Sequence, residues 1–293
     1  MQFGDYRVEI IPDTEFRLDG GAMFGVVPRN LWSRACPPDE QNRIRMNMNC
    51  VYVEAGAEKI LIETGIGEKW PPKQVEMYGI IRERPFGESL RAIAGVAAEE
   101  ITIVVNTHLH FDHAGGNTKL DASGRAVPAF PNARYFVSQA EFDHAEQPSE
   151  RDRASYLPEN WQPVHSCGQL ELKEGNYEVV PGLRMENHPG HNRSMQCWCL
   201  DRGGQTLFGF ADLVPTRAHV RFAWIMGYDL YPVETLEAKK KLLPQAAREN
   251  WTCLFYHDLD QALCRIVEDD GKFQPVTFKD SHESKIEAAR TNP

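Results

Sequence analysis

Residues 107–116 read Thr-His-Leu-His-Phe-Asp-His-Ala-Gly-Gly, and they place His108, His110, Asp112 and His113 within six positions. Packing gives no reason to concentrate three imidazoles and a carboxylate in this way. Neutral imidazole and carboxylate together suit zinc and similar divalent ions. The spacing is not that of H-E-x-x-H, whose histidines lie four apart on one helix face. A site for two ions needs more donors than this cluster holds. Three further segments offer them: Pro189-Gly190-His191, Phe210-Ala211-Asp212 and Tyr256-His257-Asp258. A polar residue at the end of a strand is common, so each alone is weak. Their shared place, each following a predicted strand, gives them weight together.

The elements that must position these side chains can be read from pattern. The run Ile-Thr-Ile-Val-Val-Asn over 101–106 predicts a buried strand. The C-terminal ends of such strands are where open α/β sheets hold ligands. In an extended segment His108 and His110, two apart, face the same way. Gly115 and Gly116 then allow a sharp bend and the start of a helix. Further strands are predicted over 6–11, 22–27, 46–53, 59–62, 134–137, 170–172, 177–180, 183–186, 195–200, 206–210, 252–256, 263–267 and 273–278. A helix is predicted over 88–98. Ser138 and Glu141 have the spacing of a capping box for a second helix ending before Pro148. A third covers 233–249, where Pro244 predicts a kink or break. The stretch 65–87 is too long for a structureless connection and predicts a lid or a loop with short helices.

Among 293 residues, 42% are hydrophobic and 25% charged, the composition of a globular chain with a sizeable core. A net charge of −10 disfavours nucleic acid and anionic membrane as partners. No apolar run approaches the length of a membrane span, and residues 1–7 do not resemble a signal peptide. The seven cysteines are scattered without a C-x-x-C pair, as expected of reduced thiols in a cytoplasmic protein. One domain over 1–278 with a polar tail over 279–293 is expected.

With these residues in view, the chain resembles the metallo-β-lactamase superfamily. Its T-H-x-H-x-D-H-x-G-G signature is matched by residues 107–116, its Pro-Gly-His by 189–191, its bridging aspartate by Asp212 and its last histidine by His257. The resemblance implies an α+β fold, a four-layer αββα sandwich with metals at one edge of its two sheets. It implies one divalent ion on His108, His110 and His191, and a second on Asp112, His113 and His257, with Asp212 joining both. Zinc is the first expectation, with manganese, iron or cobalt as alternatives. A hydroxide shared by the ions is then expected to attack a small ester, lactone or phosphotriester. Asp112 is also the catalytic candidate, orienting or protonating the leaving group. The alternative within the same fold is a mononuclear iron enzyme resembling persulfide dioxygenases; a metal-free binding module is a third. The complete donor set weighs against both.

The segments 212–215 and 226–232 resemble the branch of quorum-quenching lactonases and methyl parathion hydrolase, by whose analogy a homodimer is conceivable. That branch carries a tyrosine three residues after the bridging aspartate. Pro215 stands there in this chain, which leaves Arg217 or His219 as substitutes or points to a different substrate. Trp70, Phe86, Phe111 and Trp224 are candidates for an apolar pocket wall, though such aromatics are more often core. His144, His165, His219 and His282 read as structural or exposed, and His188 as a pocket wall or a support for the ligands. Glu63 occupies the family's place for a buried aspartate. Being one methylene longer, it reads equally well as an ordinary carboxylate at a strand end.

Overall fold

Val- and Ile-rich strands build two seven-stranded sheets. The first runs Gln2–Phe3, Tyr6–Pro12, Asn49–Ala55, Glu58–Ile62, Ile103–Val105, Arg134–Ser138, Leu170–Lys173. It is antiparallel as far as Glu58–Ile62 and parallel from there on. The second runs Tyr177–Val180, Leu183–Asn187, Gln196–Arg202, Gln205–Gly209, Thr252–Leu254, Leu263–Asp269, Lys272–Thr277. Only its Gln205–Gly209 and Thr252–Leu254 neighbours are parallel. In both sheets the spatial order is the chain order, so each sheet is one contiguous half of the sequence. The computed structural model describes residues 1–277, and the tail expected over 279–293, with His282 and the last residue of the 273–278 strand, lies outside the described residues.

One core joins Val51, Ile60 and Val104 of the first sheet to Met185, Trp198 and Leu207 of the second. Helix Phe86–Ala94 packs on Tyr6–Pro12, and Gln139–Glu146 packs on Arg134–Ser138 and Leu170–Lys173. Helix Pro232–Arg248 packs on Leu263–Asp269 and Lys272–Thr277. This is the expected α+β, four-layer αββα sandwich. It explains why Ile103–Val105 is buried throughout: a central parallel strand is covered on both faces and reads as a continuous apolar run.

Several local expectations change. Residues 22–27 do not form a strand; Gly20–Phe24 is a short helix whose start is capped by Asp19, with Ala22 N–H donating to Asp19 Oδ1 at 2.8 Å. The predicted strand 46–53 is two strands. Arg43–Met46 pairs with Phe16–Asp19 in a separate ribbon, and Asn49–Ala55 enters the first sheet. Helix Pro232–Arg248 runs through Pro244 without a break. The predicted 88–98 helix stops at Ala94 because Gly95 adopts a left-handed C-cap, with φ +78°. The stretch 65–87 is, as expected, a loop with short helices: it contains helix Pro72–Tyr78 and the start of Phe86–Ala94.

Candidate metal centre

The chain leaves Ile103–Val105 at Asn106 and presents His108 and His110 on one side, their ring centroids 4.5 Å apart. Leu109, between them, turns the other way into a small core with Val137, Tyr156 and Trp161. A helical turn, Phe111–Ala114, follows and carries Asp112 and His113. Gly115 and Gly116 serve a different need from the bend expected of them. A Cβ on Gly116 would sit 2.1 Å from the Thr64 carbonyl oxygen, and one on Gly115 2.3 Å from that of Ile66. The glycines let the 64–67 backbone lie directly against the motif.

All seven expected donors come together. His108, His110, His191 and Asp212 form one buried group whose ligand atoms lie within 4.8 Å of one another; Asp112, His113, Asp212 and His257 form a second. Asp212 divides its oxygens between them. Its Oδ1 lies 3.2 Å from His113 Nε2 and 3.0 Å from His257 Nε2. Its Oδ2 lies 3.4 Å from His191 Nε2 and 4.0 Å from His108 Nε2. Asp112 Oδ2 lies 3.6 Å from His257 Nε2.

The donor chemistry fits divalent cations. His108 Nδ1 is taken up by Thr107 Oγ1 at 2.9 Å, and its Nε2, turned toward Asp212 at 4.0 Å, is buried with no hydrogen-bond partner, a state that costs free energy unless something binds it. His257 Nδ1 is 3.0 Å from the Asn47 carbonyl, to which it can only donate. Its Nε2 then faces Asp212 Oδ1 at 3.0 Å, and either a proton or a metal ion must lie between the two. Burial holds His108 and His110 well below the ordinary imidazole range, keeping both neutral. Burial also pulls His113, His191 and His257 down, but Asp212, aided by Asp112 or Asp229, outweighs it and leaves all three raised. Burial would raise Asp212, yet His113, His257 and His191 prevail and hold its carboxyl well below the usual range. Without metal ions, protons on these rings balance Asp212; a bound ion takes over that role and releases them.

Groups behind the donors fix them. Asp229 Oδ1 is 2.9 Å from His191 Nδ1, and its Oδ2 accepts from Thr235 Oγ1 at 2.7 Å. This turns His191 Nε2 into the centre, where it lies 3.1 Å from His110 Nδ1. Gly190 permits the approach, since a Cβ there would meet Thr235 Oγ1 at 2.4 Å. Glu63 is wholly buried and reaches the centre despite its extra methylene. It accepts from the Thr107 N–H at 3.0 Å and Asn106 Nδ2 at 3.2 Å, and its Oε1 lies 3.4 Å from His113 Nδ1. Glu63 and Ala211 are non-glycine residues with positive φ, +64° and +48°. Left-handed backbone thus occurs at the residue that backs His113 and at the residue immediately before Asp212.

The donors open onto a cleft of about 360 Å³. Leu18, Met23, Phe111 and Met226 form its apolar wall, and Tyr78 and Tyr228 add phenol groups. Neither hydroxyl bonds to a described residue, and burial raises both phenols, Tyr228 to about 12. Of the four aromatics expected in the wall, only Phe111 lines the cleft. Trp70 supports it from behind, with ring centroids 5.3 Å apart, Phe86 is core, and Trp224 borders a separate cavity. Arg217 and His219 do not take the missing tyrosine's place. Arg217 is held by Asp258 at 2.8 Å, and His219 lies buried between Thr216 Oγ1 and the Met23 carbonyl. His188 faces Glu186 away from the cleft.

Sequence reasoning singled out the segments that hold Tyr78, Met226, Tyr228 and Asp229 but assigned these residues no role, and it missed Met23. Each is far in sequence from what it serves, and only the fold reveals the pairing. Comparison with known proteins agrees with the geometry. The family model described as the metallo-beta-lactamase superfamily matches residues 44–257. An N-acyl homoserine lactonase of Bacillus cereus is 27% identical over 240 residues, covering 75% of this chain and 84% of that protein. The crystal structure of a probable metal-dependent hydrolase from Staphylococcus aureus superposes with a TM-score of 0.86 at 29% identity, covering 96% of this chain and 99% of that one. AidC, a dizinc quorum-quenching lactonase, shares the fold with a TM-score of 0.77 at 20% identity, over 96% of this chain and 97% of its own.

Proposed function

The chain belongs to the metallo-beta-lactamase superfamily, and from that premise we propose a dinuclear metal hydrolase that opens lactones or cleaves small esters. The observation that carries this reading is Asp212, with one carboxylate oxygen facing each donor group. His108, His110 and His191 would hold one ion, Asp112, His113 and His257 the other, with Asp212 shared. Two divalent ions bound there, zinc being the first candidate, supply a hydroxide near neutral pH and stabilise the developing oxyanion.

The chain's own residues do the rest. The Asp112 carboxyl, on the second donor group and open to the cleft, is placed to take a proton and hand it to the leaving alkoxide. The phenols of Tyr78 and Tyr228 are free donors for a substrate carbonyl, a task that Pro215 cannot perform. Leu18, Met23 and Met226 offer an apolar seat for an acyl chain. N-acyl homoserine lactones, the substrates named for the Bacillus cereus relative, are therefore the first compounds to test, followed by aryl esters and phosphotriesters.

Metal content and a substrate panel test the reading together. Two ions per chain, lactone or ester turnover, and loss of both in His108→Ala and Asp212→Ala are expected. Full turnover by metal-stripped protein would refute the mechanism. One iron per chain with oxygen consumption would favour the mononuclear oxidoreductase instead.

A further inference from the structure

We propose that Glu141 is a positioning residue that sets the geometry of the three-histidine half of the centre and leaves the other half untouched. This rests on the dinuclear reading above. Glu141 has the spacing of a capping box, and Ser138 Oγ does accept its backbone N–H at 3.3 Å. Its side chain, however, does not return to Ser138. It points inward, is wholly buried, and collects four donors. Oε1 accepts the Leu109 N–H at 2.8 Å and the Tyr156 hydroxyl at 3.0 Å. Oε2 accepts Asn192 Nδ2 at 2.9 Å and Ser194 Oγ at 2.5 Å.

The origin of those donors gives the carboxylate its meaning. Leu109 lies between His108 and His110, in the loop after a strand of the first sheet. Asn192 and Ser194 follow His191, in the loop between two strands of the second sheet. One anion thus ties together the two loops whose three imidazoles must converge. Their rings are 5.2 Å (His108–His191) and 4.9 Å (His110–His191) apart. Tyr156 extends the support, because its hydroxyl also accepts from Asn192 at 3.1 Å and its ring packs edge-on against His110 at 4.7 Å. Asn192 Oδ1 in turn accepts the Ser194 and Met195 N–H groups and holds the turn after His191.

The other half hangs on different groups. Glu63 backs His113, and the Asn47 carbonyl holds His257. None of these touches Glu141. A general packing role would weaken both halves alike, whereas the clamp acts on one.

The experiment titrates metal-free wild type and Glu141→Gln with zinc by calorimetry, then records ¹¹³Cd spectra of the cadmium-loaded forms. The ¹¹³Cd signals are assigned by their loss in His191→Ala or His257→Ala. Glutamine keeps the shape but turns an NH₂ toward donors. One of two equivalents should weaken about 10- to 100-fold, the range for outer groups that orient metal ligands. The signal missing in His191→Ala should shift or broaden, and the signal missing in His257→Ala should remain. Ser194→Ala removes one donor only and should give a smaller loss at the same site, which keeps the test open if Glu141→Gln fails to fold. Unchanged affinities in both variants, or equal weakening of both equivalents, would overturn the proposal. If wild type takes up a single ion, the dinuclear reading fails. The clamp then stands if Glu141→Gln weakens an ion assigned to the three histidines, and falls if that ion belongs to His257.

Discussion

Replacing Asp229 separates the value of a charge from the value of a hydrogen bond at His191. In the native protein the Asp229 carboxylate accepts at 2.9 Å from His191 Nδ1 and at 2.7 Å from Thr235 Oγ1, with both partners buried. In Asp229→Asn the amide oxygen can still accept from His191, and the NH₂ can donate to the threonine hydroxyl. Only the charge assistance goes. A charge-assisted bond is about twice as strong as a neutral one, and a neutral one contributes about 1 kcal/mol, so ion affinity at the three-histidine half should fall about fivefold. In Asp229→Ala the ring N–H is left unpaired in a buried place and the imidazole is free to turn. Affinity should then fall about 10- to 100-fold. The assay is competition for zinc against a chromophoric chelator at fixed pH, alongside melting of the metal-free proteins. Near-equal melting of wild type and Asp229→Asn is expected. Wild-type zinc affinity in Asp229→Ala would show that His191 needs no such anchor, or is no ligand.

Gly116→Ala drives a methyl group into the Thr64 carbonyl, 2.1 Å from the new Cβ, in a backbone pinned by the Thr64 N–H bond to the His113 carbonyl. Overpacking of this kind costs at least about 1–3 kcal/mol, so melting should fall by roughly 3–10 °C; a wild-type melting curve would contradict the account. Because His113, His191 and His257 are raised, each carries a proton to higher pH than a free imidazole. Metal uptake should therefore release protons at pH values above the free-imidazole range, and affinity should rise with pH until those protons are lost. Calorimetry in buffers of different ionisation enthalpy reads the release directly, and its absence would contradict the charge balance described. Tyr228→Phe should lower kcat about tenfold, the equivalent of about 1.4 kcal/mol, with little change in KM. If kcat holds in both Tyr228→Phe and Tyr78→Phe, neither phenol assists the carbonyl.

The donor set was legible because it is written locally. Four candidate donors share one short run, and His191, Asp212 and His257 each lie three or four residues beyond the end of a strand. Asp229, Glu141 and Glu63 were not legible in the same way, since nothing in their neighbourhoods records a partner tens of residues away. Glu141 shows the difficulty in one residue. Its spacing from Ser138 satisfies a local rule, and the tertiary structure takes its side chain for something else. The strand expected over 22–27 failed for a related reason. Its short run is apolar at every position but Gly25 and so marks no period, and the cap at Asp19 with Gly20 lying against Trp32 decides for a helix.

Each sheet is one contiguous half of the chain, and this has a consequence during synthesis. His108, His110, Asp112 and His113 emerge with the first half, which ends at Leu170–Lys173; His191, Asp212 and His257 arrive only with the second. The nascent first half therefore holds two histidines of one site and two donors of the other. It lacks Asp212, the residue that makes them a pair. Under the dinuclear reading, tight metal capture would wait until the second sheet has docked, and an ion held by all seven residues would report that the two halves have met in register.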